Sequence, residues 1–278
     1  MNTLDYEVTG RVARITLNRP DRANAITLAM PRELAECVEA ANLDPFVHVI
    51  ALAGAGKGFC GGYDLVDYAE TEAPNHDPGE PWDPVVDWQM MSRNLRGFMS
   101  LFHSDKPVVC KVHGFCVAGG TDLALCSDLL VIADDARIGY PPARVWGVPT
   151  SALWAFRAGD QRAKRLLFTG DLIDGRTAHE WGLAVESAPA AQLDERFEAL
   201  VERIALTPVN QLVMMKLLVN QALYSQGLHA TQALGVFFDG IARHTPEGYE
   251  FQRRAAEAGF KEAVRERDEP YGAAQSPP

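Results

Sequence analysis

An α/β fold is predicted by the order of the apolar runs and by where the glycines fall. Through the first two thirds of the chain, strand-like and helix-like stretches recur in a β-β-α order, and the last third reads as helix. Two strand-like runs lead directly into glycine-rich turns. His48 to Ala53 enters Gly54-Ala-Gly-Lys-Gly-Phe-Cys-Gly-Gly-Tyr-Asp-Leu65, and Val108 to Val112 enters a turn through Gly114, Ala118, Gly119 and Gly120. No segment repeats another as sequence identity.

Taken in order, Tyr6 to Val8 and Val12 to Leu17 alternate polar with apolar around Thr9-Gly10, the pattern of a β-hairpin. The loop Asn18-Arg-Pro-Asp-Arg22 leads to a helix over 27–41, with Thr27 as a candidate cap. After the first glycine turn, residues 69–87 carry Pro74, Pro78, Pro81 and Pro84 among acids and lack periodicity, as expected of a mobile surface loop or a lid over that turn. A helix resumes over 88–102, and the second glycine turn opens a helix at Thr121 before a strand over 129–132. Residues 137–149 are too proline-rich for helix. Helices are expected over 151–158, 161–169 and 177–181, then a strand over 183–186. The remainder reads as helices over 193–205, 209–224 (Pro208 at its start), 231–243 and 247–267, with a Ser-Pro-Pro tail.

The bulk properties are those of a soluble globular protein: 278 residues, 47% hydrophobic, 23% charged. A net charge of −11 argues against nucleic acid or an anionic membrane as partner. No apolar run approaches a membrane span and the N-terminus has no charged-then-apolar leader, so the cytoplasm is the expected location. Cys37, Cys60, Cys110, Cys116 and Cys126 are odd in number, match no zinc or redox spacing, and read as buried reduced thiols; only Cys60 stands at a turn that could face a ligand. Histidines lack ligand spacing, and no metal is implied. Lys57 is followed by Gly58 rather than Ser or Thr, which excludes a phosphate-binding P-loop, and the acid of a dinucleotide fingerprint is missing.

Glycines between a strand end and a helix start leave backbone N–H groups uncovered, and the helix dipole adds partial positive charge. Two such turns could each offer one N–H to a single carbonyl oxygen, although glycine turns after strands are also common in any α/β protein. Asp122 sits in the first turn of the second helix. A polarising donor beside a carboxylate is the minimum apparatus for proton chemistry next to a carbonyl; the plainer reading is an acid that favours the dipole.

Leu17-Asn-Arg-Pro-Asp-Arg-Ala-Asn-Ala25, the run Gly54 to Leu65, His113-Gly-x-x-x-Ala-Gly-Gly-Thr-Asp-Leu123, and Phe168-Thr-Gly170 with Ala178 and Gly182-Leu183 occur in this order. With these motifs the chain resembles the crotonase (enoyl-CoA hydratase/isomerase) family over nearly its whole length. The resemblance implies a spiral of β-β-α units carrying an acyl-CoA site over 1–205 and a helical oligomerisation region over 206–278. It further implies a homotrimer or a dimer of trimers and no cofactor beyond the CoA of the substrate. The apolar faces of 209–224 and 231–243 (Leu212, Met215, Leu218, Val219; Leu234, Phe237, Phe238, Ile241) fit either subunit contact or internal packing.

The resemblance also implies site residues. The oxyanion donors are the backbone N–H groups of Tyr63 and Gly119, and Asp122 stands where family hydratases carry the first of two catalytic glutamates, one methylene shorter and so about 1.5 Å further from a common target. The second glutamate is replaced: the segment reads Ile138-Gly-Tyr-Pro-Pro142, and Pro142 can neither move a proton nor hold water. Tyr140, Arg144, Asp64 and Tyr68 are nearby polar alternatives; an unperturbed phenol pKa near 10 makes the tyrosines poor acids, and Asp64 fits a turn brace. Arg22, Ala23, Ala25, Gly62, Asp64 and Leu65 are expected around CoA, with Arg22, Lys57 and Lys261 available to phosphates. Tyr68, Tyr140, Pro142 and Trp146 are expected around the acyl group. The implied activity is hydratase-like addition of water to an enoyl-CoA; the alternatives are isomerase, decarboxylase or hydrolase chemistry, or acyl-CoA binding without turnover.

Overall fold

The computed structural model describes residues 1–65 and 81–272. Its main sheet is built from Leu4–Thr9 (β1), Val12–Leu17 (β2), Val49–Gly54 (β3), Val108–Val112 (β4), Leu129–Ala133 (β6) and Glu186–Ala188 (β9), in the order β1-β2-β3-β4-β6-β9. The hairpin β1–β2 is antiparallel and every later pairing in this sheet is parallel. Parallel strands covered on both faces need continuous apolar runs, and Val49, Ile50, Leu52, Val108, Val109, Cys110, Val131 and Ile132 are all buried. Phe115–Val117 (β5), Arg137–Gly139 (β7) and Leu172–Asp174 (β8) form a second, three-stranded sheet in the order β5-β7-β8.

Met30–Leu43 (α1) and Pro84–His103 (α2) pack on each other beside the hairpin end of the main sheet. Asp83 starts α2 by accepting from the N–H groups of Val85 and Val86. Gly119–Leu125 (α3) follows β5, and Leu153–Ala158 (α4), Asp160–Thr169 (α5) and Gly175–Glu180 (α6) connect the later strands. Leu193–Ala205 (α7) lies on the main sheet through Leu193, Phe197 and Val201. Val209–Ser225 (α8), Leu228–Arg243 (α9), Pro246–Ala258 (α10) and Phe260–Asp268 (α11) complete the chain. Among the described residues no helix is long and apolar enough to cross a membrane.

Four expectations are corrected. The first helix begins at Met30, and Thr27 serves it from outside by accepting from the Met30 N–H at 3.2 Å. The proline-rich segment holds a strand, β7, because Arg137 to Gly139 continue the ladder beside β5 before Pro141–Arg144 turn as a 3₁₀ helix. The strand expected over 183–186 is Glu186–Ala188, since Gly182 (φ +82°) still belongs to the turn and pairing with β6 begins at Glu186. The long helix over 247–267 is two, broken at Gly259, whose φ of +86° cannot continue a helix. The proline-rich run over 69–87 lies mostly outside the described residues.

Candidate active site

Three segments distant in sequence are stitched together where β3 and β5 end, the side of a parallel sheet on which α/β proteins place their ligands. Phe59 N–H donates to the Phe115 carbonyl (2.9 Å), Val117 N–H to the Cys60 carbonyl (3.0 Å), Ile26 N–H to the Gly62 carbonyl (2.8 Å) and Asp64 N–H to the Ile26 carbonyl (2.9 Å). Asn24 locks the third segment: its buried side-chain amide reaches the carbonyls of Ala55, Gly58 and Phe59 at 2.8–3.0 Å. The stitching brings the two glycine turns into contact. A Cβ on Gly62 (φ +102°) would stand 2.8 Å from the Ala118 Cβ and 3.4 Å from the Gly119 nitrogen. One on Gly119 would meet the Tyr63 ring at 2.7 Å. Only glycine fits at either point. Ala118 itself holds φ +54°, ψ −131°, a costly conformation for a residue with a Cβ that the surrounding bonds enforce.

The joined turns form one wall of a cavity of about 180 Å³. Gly61, Tyr63, Leu65, Val117, Ala118 and Gly119 supply that wall; Met90 and Met91 of α2 and Tyr140, Pro141, Pro142, Trp146 and Gly147 extend it. The helices after residue 206 close it with Asp239, Arg243, Phe251, Val264 and Arg267. Trp146 (φ +83°) packs its ring against Phe251 and Phe260 at centroid distances of 5.2 and 5.7 Å. The lining is mainly apolar with a few convergent polar groups, the composition of a small-molecule site.

Asp122 is fully buried on α3, and its Oδ1 accepts from the Ser151 N–H at 2.8 Å. Burial pushes its carboxyl up to about 7, against the pull of the Ser151 hydroxyl and N–H groups. Among the described residues that line the cavity Asp122 is absent; the wall at its end of the site is Val117, Ala118, Gly119 and Tyr140. The acid that does line the cavity is Asp239 of α9, which the sequence reading passed over. Its Oδ1 accepts from the Val148 N–H at 3.1 Å and its Oδ2 from Arg243, whose other nitrogen donates to Asp87 of α2. Burial raises the Asp239 carboxyl, and Arg243 and Val148 oppose the rise. Tyr140, also buried, has its phenol pushed well above the ordinary range by burial and by the nearby Asp122 and Asp239 carboxylates, so it is a neutral hydroxyl in this site.

The remaining expected residues divide. Gly62 and Leu65 belong to the first turn, and Ala23 (φ +53°) and Ala25 to the segment stitched beneath it, where the Ala23 carbonyl accepts from the Gly61 N–H at 2.8 Å. Asp64 pairs with Arg19 at 2.8 Å, and Arg19 also reaches the Ala25 carbonyl, so Asp64 braces the turn against the Arg19 loop. Arg22, Lys57 and Lys261 are exposed. Arg144 is bound to Asp268 at 2.8 Å and lies over the Tyr271 ring. Tyr68 lies outside the described residues. All five cysteines are free and buried, and Cys60 stands behind the wall, its thiol donating to the Asn24 carbonyl. Asp239, Arg243, Met90, Met91, Phe251, Val264 and Arg267 had no motif to mark them.

Residues 7–248 match the enoyl-CoA hydratase/isomerase family model, and the chain belongs to that family. It is similar to an enoyl-CoA hydratase of Mycobacterium smegmatis whose crystal structure is 60% identical, with a TM-score of 0.95 over 99% of this chain and 96% of that one. It is 30% identical over 216 residues to the 1,2-epoxyphenylacetyl-CoA isomerase of Escherichia coli, covering 76% of this chain and 79% of the relative. It is 31% identical over 207 residues to the carnitinyl-CoA dehydratase of Proteus mirabilis, covering 73% and 74%. The chain is thus a crotonase-fold, enoyl-CoA hydratase-like enzyme that acts on acyl-CoA thioesters.

Proposed function

We propose that this enzyme is a lyase that adds water reversibly across the 2,3-double bond of an enoyl-CoA. The observation that carries the reading is the apposition of the Tyr63 and Gly119 turns on one cavity wall. In this reading the thioester carbonyl accepts from the N–H groups of Tyr63 and Gly119, and the negative charge that reaches this oxygen as water attacks C3 is held there. Donors placed for that oxyanion are worth about 2.7–4 kcal/mol each in the transition state. The apolar walls of Leu65, Met90, Met91 and Val117 take the acyl chain and keep stray water from the enolate. Arg22, Lys57 and Lys261, exposed and outside the lining of the apolar cavity, would meet the phosphates of CoA.

The same reading takes the exposed faces of α8 (Met215, Leu218, Val219) and α9 (Leu234, Phe237, Phe238) as surfaces covered by further copies of the chain, in a trimer or a pair of trimers. A second reading, in which the enolate forms by isomerisation or decarboxylation instead of hydration, is favoured by one observation: Pro142 lines the cavity where an acid would serve hydration. Crotonyl-CoA separates the two. Hydration predicts loss of its enoyl-thioester absorbance with formation of a 3-hydroxyacyl-CoA; binding of the thioester with no such loss refutes the hydratase reading.

A further inference from the structure

We propose that Asp239 is the catalytic carboxylate of this cavity, reaching it from α9 to do what the residue at position 142 cannot. The inference rests on the enoyl-CoA reading above and names the group that handles its proton. Asp239 lines the cavity together with Pro142, Gly147 and Tyr140. It is bound directly to the segment that carries Pro142, through the Val148 N–H at 3.1 Å. That segment folds back on itself there: Gly147 lies so close to Pro142 that a Cβ on the glycine would come within 2.8 Å of the proline's. The carboxylate thus faces the cavity that Pro142 also lines, from another element.

Its setting suits proton transfer. Each carboxylate oxygen has two lone pairs, and Val148 and Arg243 use one on each, leaving capacity toward the cavity. Arg243 also pairs with Asp87 through its other terminal nitrogen, so two carboxylates share one guanidinium. The groups facing Asp239 are Arg243 on its own helix, Asp87 on α2, Asp122 on α3 and the Tyr140 phenol, while Arg267 of α11 shares the cavity but is held by Asp268. Burial, and to a lesser extent the Asp87 charge, raise the Asp239 carboxyl above the ordinary range, while Arg243 and the Val148 N–H pull it down.

In the step this permits, a water molecule in the cavity gives one proton to the Asp239 carboxylate as its oxygen bonds to C3. The π electrons of the C2=C3 bond move toward C2 and the thioester oxygen. The enolate so formed takes the proton from Asp239 at C2, which restores the carboxylate and leaves a 3-hydroxyacyl thioester. One carboxylate thus serves both proton transfers. Asp122, absent from the cavity lining and bonded to the Ser151 N–H, takes no part in this step.

The test measures crotonyl-CoA hydration by wild type, Asp239→Asn, Asp239→Glu and Asp87→Asn. General acid–base groups contribute about 10²–10⁴ in rate. Asp239→Asn is therefore expected to lose at least about a hundredfold in kcat, with KM within about threefold and the pH limb of kcat/KM attributable to the carboxylate gone. Asp239→Glu keeps a carboxylate and is expected to retain a tenth or more of kcat with that limb displaced. Asp87→Asn removes a negative charge that raises Asp239 and leaves Arg243 to it alone, so it is expected to keep a tenth or more of kcat with the limb displaced to lower pH. If thermal unfolding shows that Asp239→Asn does not fold, Asp239→Ser, which leaves room for water at Val148 and Arg243, carries the same threshold. An asparagine variant within tenfold of wild type, or a glutamate variant no better than asparagine, overturns the proposal while leaving the hydratase reading standing. A wild type that binds crotonyl-CoA but does not hydrate it overturns both.

Discussion

Replacing Asp122 by asparagine changes one proton and almost nothing else, because the asparagine oxygen can still accept from the Ser151 N–H. The wild-type carboxyl rises from an ordinary 3.8 to about 7 on burial. Between these two values the folded protein holds a proton that the unfolded chain has released, so stability falls as pH rises across the interval. The loss is complete only above 7. Three units correspond to about 4 kcal/mol, and the two units between pH 5 and pH 7 to about 2.7 kcal/mol. The asparagine variant has no such proton. Urea unfolding of both proteins at pH 5 and pH 8 should therefore show the variant gaining about 2–3 kcal/mol on wild type between the two pH values, with the titrating groups not coupled to Asp122 cancelling in the difference. A difference that does not change with pH refutes the argument and means that the carboxyl is ionised in the folded protein throughout.

Two further outcomes follow from the geometry. Gly62→Ala places a methyl 2.8 Å from the Ala118 Cβ at a φ of +102°, so it should cost about 1–3 kcal/mol of stability by thermal unfolding and push the Tyr63 turn off Gly119. A displacement near 1 Å at such a site is worth about a hundredfold in rate, which crotonyl-CoA turnover by the folded variant would register. If the α8 face is the subunit contact proposed above, glutamate at both Met215 and Leu218, exposed by 54% and 68%, should lower the mass found by sedimentation equilibrium, and a mass unchanged from wild type would show that it is not.

The two glycine turns were legible because their residues do one thing wherever they occur: they let backbones approach. Gly62 against Ala118 is that approach, and the motif spacing places it without reference to the rest of the chain. The long apolar runs of β3, β4 and β6 were legible for the same local reason. The short strands β5 and β8 escaped notice because three residues cannot establish a period, and β7 was hidden by the prolines that follow it. Asp239 was illegible for a different reason. It lies on an amphipathic helix among residues that alternate as any surface helix does, and only packing of α9 against the 140–148 segment makes it a cavity residue. The bond from the Ser151 N–H to Asp122 was illegible as well, because it joins segments 29 residues apart that no motif links. The division at residue 206 came with the family resemblance, and the cavity is lined from both sides of that boundary.

The central claim is that the Tyr63 and Gly119 turns hold a thioester enolate. The most direct test is hydrogen exchange at C2 of butyryl-CoA in D₂O, a saturated thioester that can form the enolate but cannot be hydrated. The account predicts enzyme-catalysed deuterium incorporation at C2, seen by NMR, with loss of that exchange in Gly62→Ala. Saturable binding of butyryl-CoA with exchange no faster than in buffer would contradict it.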